Sequence, residues 1–598
     1  MPISITVNKN KKESFLNLQE QDIRELLLEN YKFQSHEKSE DSENESESES
    51  EFESDNTSAD REIDAILGHI AFSRNLQKLS FIKCSVDASH TFKLTQALVT
   101  NQTITHLDLW NIYVLSEERS SIIEALKLII SKPKLESISI GYKWLFAVEA
   151  CLDLLFKHST LTSINFAEVY ICEELVVEIA KRISQPNTIR KLNFNCNNVQ
   201  HFMFNHIIEA LPFNETLTVL DLQFVLSVDM QLLANALRYN HTLSHLNLGN
   251  NGIQQDLKHL AEALHYNQTL EVLDLSLIFL LKWYDLSPDK RFEQSTIGYK
   301  ALAKMLCYNQ SLKKIDLSSN FMDDYHIKII LCGLKYNRTL EQLCLNNMKS
   351  FNCRSASNIF GKLKYMHNLK RLDLSYLADE EICTDLARGL VYNHSLEVVN
   401  IEQNSYFEKF LTILPPIQHH HYLKSVTIND HKGGWDLEYK NGRGNEVWTR
   451  AVKLMQGVAD IIQHTKTIEH LEFSCYCDCK PLFDALQYNQ SLRELIFLDD
   501  GFYILKVFEK DMRCKCSSIQ YDQVNCIIPL SQVRDFKISR MDSRNGCLRC
   551  LIKSSLTAET MYYNSFLTQL EFKSQKKKSK FGPQIESWLT RNALLAKN

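Results

Sequence analysis

Eight of the seventeen cysteines crowd the last quarter of this 598-residue chain: Cys475, Cys477 and Cys479, then Cys514 and Cys516, Cys526, and Cys547 with Cys550. Thiol pairs one or two residues apart can form a four-thiolate zinc site. Here the spacing is looser than zinc modules use and no histidine follows at ligand distance. Structural or exposed thiols are therefore expected, and no metal or other cofactor is assigned. Earlier cysteines such as Cys151, Cys307, Cys332 and Cys344 stand singly, where a free thiol packs as a small apolar group and no disulfide is needed. His419, His420 and His421 sit where a helix exits and read as a polar turn. The glycine-bearing pieces GGW and GRG, near Trp435 and Trp448, lack the Gly-Lys-Ser ending and strand-to-helix setting of a phosphate cradle. With no catalytic constellation in view, a non-enzymatic protein is expected.

Residue types suited to recognition are more plentiful. One polar row, Asp108, Asn165, Asn193, Asp221, Asn247, Asp274, Asp316, Asp373 and Asn400, recurs at a fixed place in a repeated phrase. Beside it the signs mix, with Arg190, Lys191, Lys313, Lys314, Lys370 and Arg371 against Glu136, Glu271 and Glu341. Alternating charge of this kind suits a protein partner through electrostatic matching. The plain alternative is that a soluble Asp simply fits each site. Trp283 and Tyr284 in one insertion, and Trp435 and Trp448 in another, are candidate aromatic anchors.

The phrase that positions these residues is clearest at Tyr239 to Asn251, YNHTLSHLNLGNN. Anchored on the first apolar residue of each strand, it recurs about sixteen times: Leu76, Ile104, Leu135, Leu161, Ile189, Leu217, Leu243, Leu270, Leu312, Leu340, Leu369, Leu396, Leu423, Ile468, Leu492 and Leu567. The usual spacing is near 27 or 28 residues, a strong repeat signal. Apolar residues at offsets 0, 3 and 5 define a short strand with one buried face. A turn and a helix follow, with faces such as Leu257, Leu260, Ala261 and Leu264. Neither element buries its face alone, so neighbouring copies must stack. Helices are expected to end at the Tyr-Asn pairs that begin at Tyr239, Tyr266, Tyr308, Tyr336, Tyr392 and Tyr488, with the Asn in the left-handed conformation and the ring laid over the helix end, its hydroxyl wet. The Asn-X-Thr/Ser matches this creates follow from the repeat and are not read as glycosylation sites.

Residues 1–35 are expected to hold a short helical segment, with Phe15, Leu16, Ile23, Leu26 and Leu27 at helical spacing. Residues 36–61, rich in Ser and Glu, are expected to be a disordered acidic linker, a substrate for acid-directed kinases or simply a solvated spacer. The array is expected over 62–500, interrupted near 278–296 and 430–449 by rim loops that either bind or cover the edge. Residues 501–598 read as degenerate repeats, the irregular cysteine-containing stretch, a lysine cluster from Lys576 to Lys580 and a capping helix.

The formal net charge is −6. Nine acids and no base lie between Ser39 and Asp55, so the remainder carries about +3. No basic footprint for nucleic acid emerges. The first residues lack the apolar core of a secretory signal, and no apolar run approaches bilayer length. A monomer in the cytoplasm or nucleus, without nucleic-acid or membrane partners, is expected.

The pattern LxxLxLxxN followed by a helix and a Tyr-Asn exit resembles the long leucine-rich repeats of the ribonuclease-inhibitor class, also found in NOD-like receptors and in Ran GTPase-activating protein. The resemblance covers about residues 62 to 500. It implies an α/β solenoid, or horseshoe, with a parallel inner sheet and outer helices, which binds a protein through its concave sheet face and rim loops. Resemblance to Ran GTPase-activating protein would give Arg119, in YVLSEERSS, a role in GTP hydrolysis, although the surrounding motif is not reproduced. A ubiquitin-ligase adaptor is a third reading; residues 13 to 32 show no convincing F-box.

Overall fold

The computed structural model describes residues 3–8, 23–33, most of 49–498, and the pairs 537–538 and 569–570. The larger breaks inside 49–498 are 279–286, 347–359, 403–410, 430–443 and 475–480. The chain falls into two compact units that divide between Asp274 and Leu275.

In the first unit the strands Ile3–Asn8, Ile23–Glu29, Lys78–Ile82, His106–Leu109, Ser137–Ile140, Ser163–Asn165, Lys191–Asn193, Val219–Asp221, His245–Asn247 and Val272–Asp274 pair in parallel, each with the next. A second, three-stranded parallel sheet joins Lys32–Phe33, Cys84–Val86 and Ile112–Val114. In the second unit Lys314–Asp316, Gln342–Cys344, Arg371–Asp373, Val398–Glu402, Ser425–Asn429, His470–Ser474, Glu494–Leu498, Lys537–Ile538 and Gln569–Leu570 do the same. A helix or 3-10 turn crosses back between most successive strands, as Met230–Tyr239 and Leu257–Leu264 do. Parallel pairing demands such a return.

The core is the apolar triplet of each repeat. Fifteen of the sixteen anchor residues are no more than 3 % exposed; the sixteenth, Leu567, lies outside the described residues. Their offset-3 and offset-5 companions, such as Leu220 with Leu222 and Ile315 with Leu317, are equally buried against the helices. Within each unit the architecture is therefore the leucine-rich-repeat α/β solenoid, parallel strands on one side and helices on the other.

The N-terminal segment corrects the expected helix: Ile23–Glu29 is a strand paired in parallel with Lys78–Ile82. Ile23, Leu26, Leu28 and Tyr31 repeat the 0, 3, 5, 8 spacing, and all four are buried. Leu26 and Leu27 fit helical spacing, but docking Leu26 and Leu28 beside Leu79 and Phe81 also satisfies the backbone of the neighbouring strand. The sheet thus begins before residue 62. Helix Glu49–Phe72 takes in the end of the stretch expected to be a disordered linker. Helix Pro288–Tyr308, begun by a Ser287 N-cap, likewise runs into the insertion at 278–296.

The helix exits also differ from expectation. Asn101, Asn214, Asn240 and Asn309 adopt extended backbone, with φ between −87° and −66°. Their side chains are buried because the amide links successive repeats. Asn240 Nδ2 donates to Leu211 O at 2.7 Å, Asn267 to Leu237 O at 2.7 Å, Asn337 to Leu306 O at 2.7 Å and Asn489 to Ile462 O at 2.6 Å. Each Oδ1 then accepts from the backbone N–H two and three residues on, as Asn240 does from Thr242 and Leu243. One side chain so pairs three backbone groups that a loop would otherwise leave unsatisfied.

The left-handed residue lies elsewhere, seven positions after the anchor: Lys83, Glu168, Cys196, Phe224, Asn250, Leu277 and Ser319 all have φ between 52° and 61°. It turns the chain out of the strand and is followed, in three repeats, by a second buried amide. Asn197, Asn251 and Asn320 donate to Phe166 O, Leu222 O and Leu275 O.

Candidate functional site

The side of the sheet away from the helices offers rows of side chains in register. Asn165, Asn193, Asp221, Asn247 and Asp274 stand opposite one another on successive strands of the first unit. Asp316, Cys344, Asp373 and Asn400 do so in the second. Asp108 stands beside Ser139, which stands beside Asn165.

This row has a local duty. Asp108, Asn165, Asn193, Asp221, Asn247 and Asp316 each accept, through Oδ1, the backbone N–H two residues ahead at 2.8–3.0 Å. Such an Asx turn ends the strand. Asp221 Oδ2 also accepts from Asn247 Nδ2 at 3.2 Å. Burial raises the carboxyl pKa of Asp108 and of Asp221 above the ordinary value, against the hydrogen bonds they accept. Asp373 is buried, with Oδ2 accepting from Arg371 Nε at 3.0 Å and facing the Cys344 thiol at 3.2 Å. Burial first, then the neighbouring carboxylates, push the Cys344 thiol far up.

The positive candidates Lys313, Lys314, Lys370 and Arg371 line the entry edge of the second unit's sheet. The position just after the anchors from Leu312 to Ile468 reads Lys313, Glu341, Lys370, Glu397, Lys424, Glu469, strictly alternating in sign. Backbone bonds from Glu341 N to Lys313 O, Lys370 N to Glu341 O, Glu397 N to Lys370 O, Lys424 N to Glu397 O and Glu469 N to Lys424 O make these residues neighbours. Lys370 pairs with Glu341 at 3.0 Å and Lys424 with Glu397 at 2.7 Å. The hydrogen bond that Lys424 donates to Glu397 raises the Lys424 pKa. Sequence reading found mixed signs here and missed the alternation, which was available from the anchors alone.

Of the aromatic candidates, Trp283, Tyr284 and Trp435 lie outside the described residues, as do the eight late cysteines and the Lys576 to Lys580 cluster. Trp448 falls in helix Gly444–His464 and not in a loop. Among the described residues no group of His, Cys, Asp and Glu is arranged to hold a metal ion. Of the single cysteines, Cys151 and Cys344 are buried as expected, whereas Cys332 is exposed. Arg119 is the first residue of helix Arg119–Ile130, its guanidinium 5.4 Å from the Phe146 ring centroid.

Two arrangements escaped the sequence reading. His326 lies between Asp323, 2.7 Å from Nδ1, and the hydroxyls of Ser295 and Thr296, 3.1 and 3.0 Å from Nε2. The order Asp-His-Ser is that of a nucleophile relay. Here all but Asp323 are buried, Ser295 Oγ donates to Phe292 O, and Asp323 with His326 forms the capping box of helix Asp324–Leu334. The cluster joins two helices and offers no accessible nucleophile. The second is how far the rings of the Tyr-Asn exits stand out: Tyr239, Tyr266, Tyr308, Tyr336, Tyr392 and Tyr488, recognised from the sequence, are 59–71 % exposed. The rings stand in solvent, beyond the expected wet hydroxyl.

The repeat geometry defines the fold class, a leucine-rich-repeat protein. No family model matches the sequence, and no curated protein matches it. Among solved structures, it is similar to the protein in the crystal structure of a TLR13–ssRNA13 complex, at 15 % identity over 79 % of this chain and 61 % of that one, with a TM-score of 0.37. It is also similar to LegL7, a leucine-rich-repeat-containing protein from Legionella pneumophila, at 14 % identity over 59 % of this chain and 92 % of that one, with a TM-score of 0.29. The chain spans about three-fifths of the length of the first of these. Among the described residues no helix is long and apolar enough to cross a membrane.

Proposed function

We propose that this protein is a non-enzymatic scaffold that binds a protein partner on the open side of its sheet and along the adjoining rims. The observation that supports this reading is the register of that face within each unit: rows of polar and charged side chains are fixed in line by parallel strands, a preorganised surface that pays little ordering entropy on binding. Asp108, Asp221, Asp274 and Asp316 contribute hydrogen-bond acceptors, Lys313, Lys314, Lys370 and Arg371 a patterned electrostatic edge, and Trp283, Tyr284, Trp435 and Trp448 the aromatic anchors. Affinity purification with mass spectrometry, comparing the native chain with a variant in which Lys313, Lys314, Lys370 and Arg371 are reversed to Glu, tests it. Loss of a specific protein supports the sheet face; retention of every specific partner by a folded variant removes it.

A second reading is a GTPase regulator acting through Arg119. Support is slight, because that guanidinium lies over Phe146. A GTP hydrolysis rate unchanged by the added protein would dismiss it. Co-purification with ligase subunits is the corresponding requirement for a ubiquitin-ligase adaptor.

A further inference from the structure

Helices Pro288–Tyr308 and Asp324–Leu334 belong to consecutive repeats and pack side by side on the face remote from the sheet. Gly333 sets how closely they approach. A Cβ built there would stand 2.3 Å from the carbonyl oxygen of Ala303, so only glycine fits. Beside this contact the helices border an open groove of about 520 Å³, within the usual range for ligand sites.

The groove has a one-sided chemistry. Lys300, Lys304 and Lys328 line it together with Tyr308, Tyr325 and Tyr336, and among the described residues no carboxylate lines it. Among the described residues none of these three lysines has an ion-pair partner. On the sheet face, by contrast, Lys370 and Lys424 each hold a glutamate. The Lys335 ammonium adds a further positive charge at the margin, 5.0 Å from the ring centroids of both Tyr336 and Tyr365. Three lysines beside exposed rings, with no carboxylate among the described lining residues, give the groove a positive character that suits an anionic occupant.

We propose that this groove is a docking site for a short acidic segment of a partner protein. Carboxylates on an extended peptide would meet the three ammonium groups, which as compact point charges accept any geometry of approach. The tyrosine rings would cover the peptide backbone while their hydroxyls donate to its carbonyl and carboxylate oxygens. A long polyanion is the less favoured occupant. Single-stranded RNA gains affinity with every phosphate neutralised, and a groove lined by three lysines offers it few such contacts. This surface is distinct from the sheet face of the proposed scaffold, and neither requires the other.

The test is fluorescence anisotropy of a labelled peptide of eight Glu-Ser dipeptides titrated with the full chain. Saturable binding that weakens as salt rises is expected, with a loss of at least tenfold in the variant Lys300→Glu, Lys304→Glu, Lys328→Glu. Lys134→Glu, a reversal at a different helix exit, should leave the affinity unchanged. Should the triple variant fail to fold, Lys304→Glu and Lys328→Glu singly decide the matter, each lowering affinity severalfold. Absence of saturable binding, equal affinity in the folded lysine variants, or tighter binding of a single-stranded RNA of matching charge would overturn the proposal.

Discussion

The side-chain amide of Asn240 donates to the carbonyl of Leu211, 2.7 Å away in the preceding repeat, while its oxygen accepts from Leu243 N at 2.8 Å. Asn240→Ala strands those groups in a dry interior, where each unsatisfied partner costs about 1–3 kcal/mol. A drop of about 3 kcal/mol in urea-unfolding stability is expected, with hydrogen exchange accelerating first at residues 211 and 243. Asn240→Asp keeps the acceptor but sets a carboxylate against Leu211 O, and should be no better. An unaltered unfolding midpoint in either variant would refute the linking role.

His420 takes the same place in its repeat. Its Nδ1 accepts from Tyr422 N and Leu423 N, both at 3.2 Å, so a ring protonated on both nitrogens opposes two N–H groups. Burial, with His394 and His421 nearby, lowers its pKa from the ordinary value to about 4. Between pH 6.5 and 4 the unfolded chain therefore binds the proton that the folded chain refuses. Stability is present above about pH 6.5 and lost as pH falls through this window, by roughly 3 kcal/mol. His420→Asn should flatten that part of the pH profile, measured by chemical denaturation at several pH values.

Lys132 also stands at the asparagine position, its ammonium donating to Leu98 O at 2.6 Å and to Asn101 O. Burial lowers its pKa to about 8. Between pH 8 and 10.5 the unfolded chain holds more protons, so stability rises with pH across that interval and the charged form is the strained one below it. Lys132→Asn, a neutral donor, is expected to raise the melting temperature at pH 7 and to lose that advantage by pH 10.

Glu168 adopts φ 57°. A left-handed backbone costs an ordinary residue about 1–2 kcal/mol, and asparagine tolerates it better. Glu168→Asn should stabilise slightly and Glu168→Val, β-branched, should destabilise by about 1 kcal/mol or more; equal melting temperatures for the pair would count against the turn.

Reversing Glu397 to Lys would set three cations, at 370, 397 and 424, on adjacent strands. A lower melting temperature at low ionic strength is expected, with the gap closing by about 0.5 M salt as screening shortens to a few ångströms. A salt-independent gap would point to packing instead.

Much of the fold was legible because burial of the triplet at offsets 0, 3 and 5 admits one arrangement, as Leu217, Leu220 and Leu222 illustrate. At Ile23 to Tyr31 the same spacing was hidden beside Leu27, and a helix was inferred where the neighbouring strand edge supplied the backbone partners. The tyrosine-asparagine exit was recognised but its physics was not: Asn240 is held by a carbonyl about thirty residues back, a partner that local propensity cannot reveal. The candidate acidic row was found by position, yet the turn that Asp221 or Asp316 closes two residues ahead emerges only with coordinates. The groove beside Gly333 was illegible for the same reason, since Lys300 and Lys328 line it from two different helices.

At the place where Asn337 and Asn393 fasten their repeats, the intervening repeat carries Met366. Methionine fills the space without donating to the coil before it. Under mechanical tension from the two ends of the chain, the stack should part first at unbolted turns of this kind, here and at Pro186, His420 and Thr465, with the riveted coils peeling afterwards one by one.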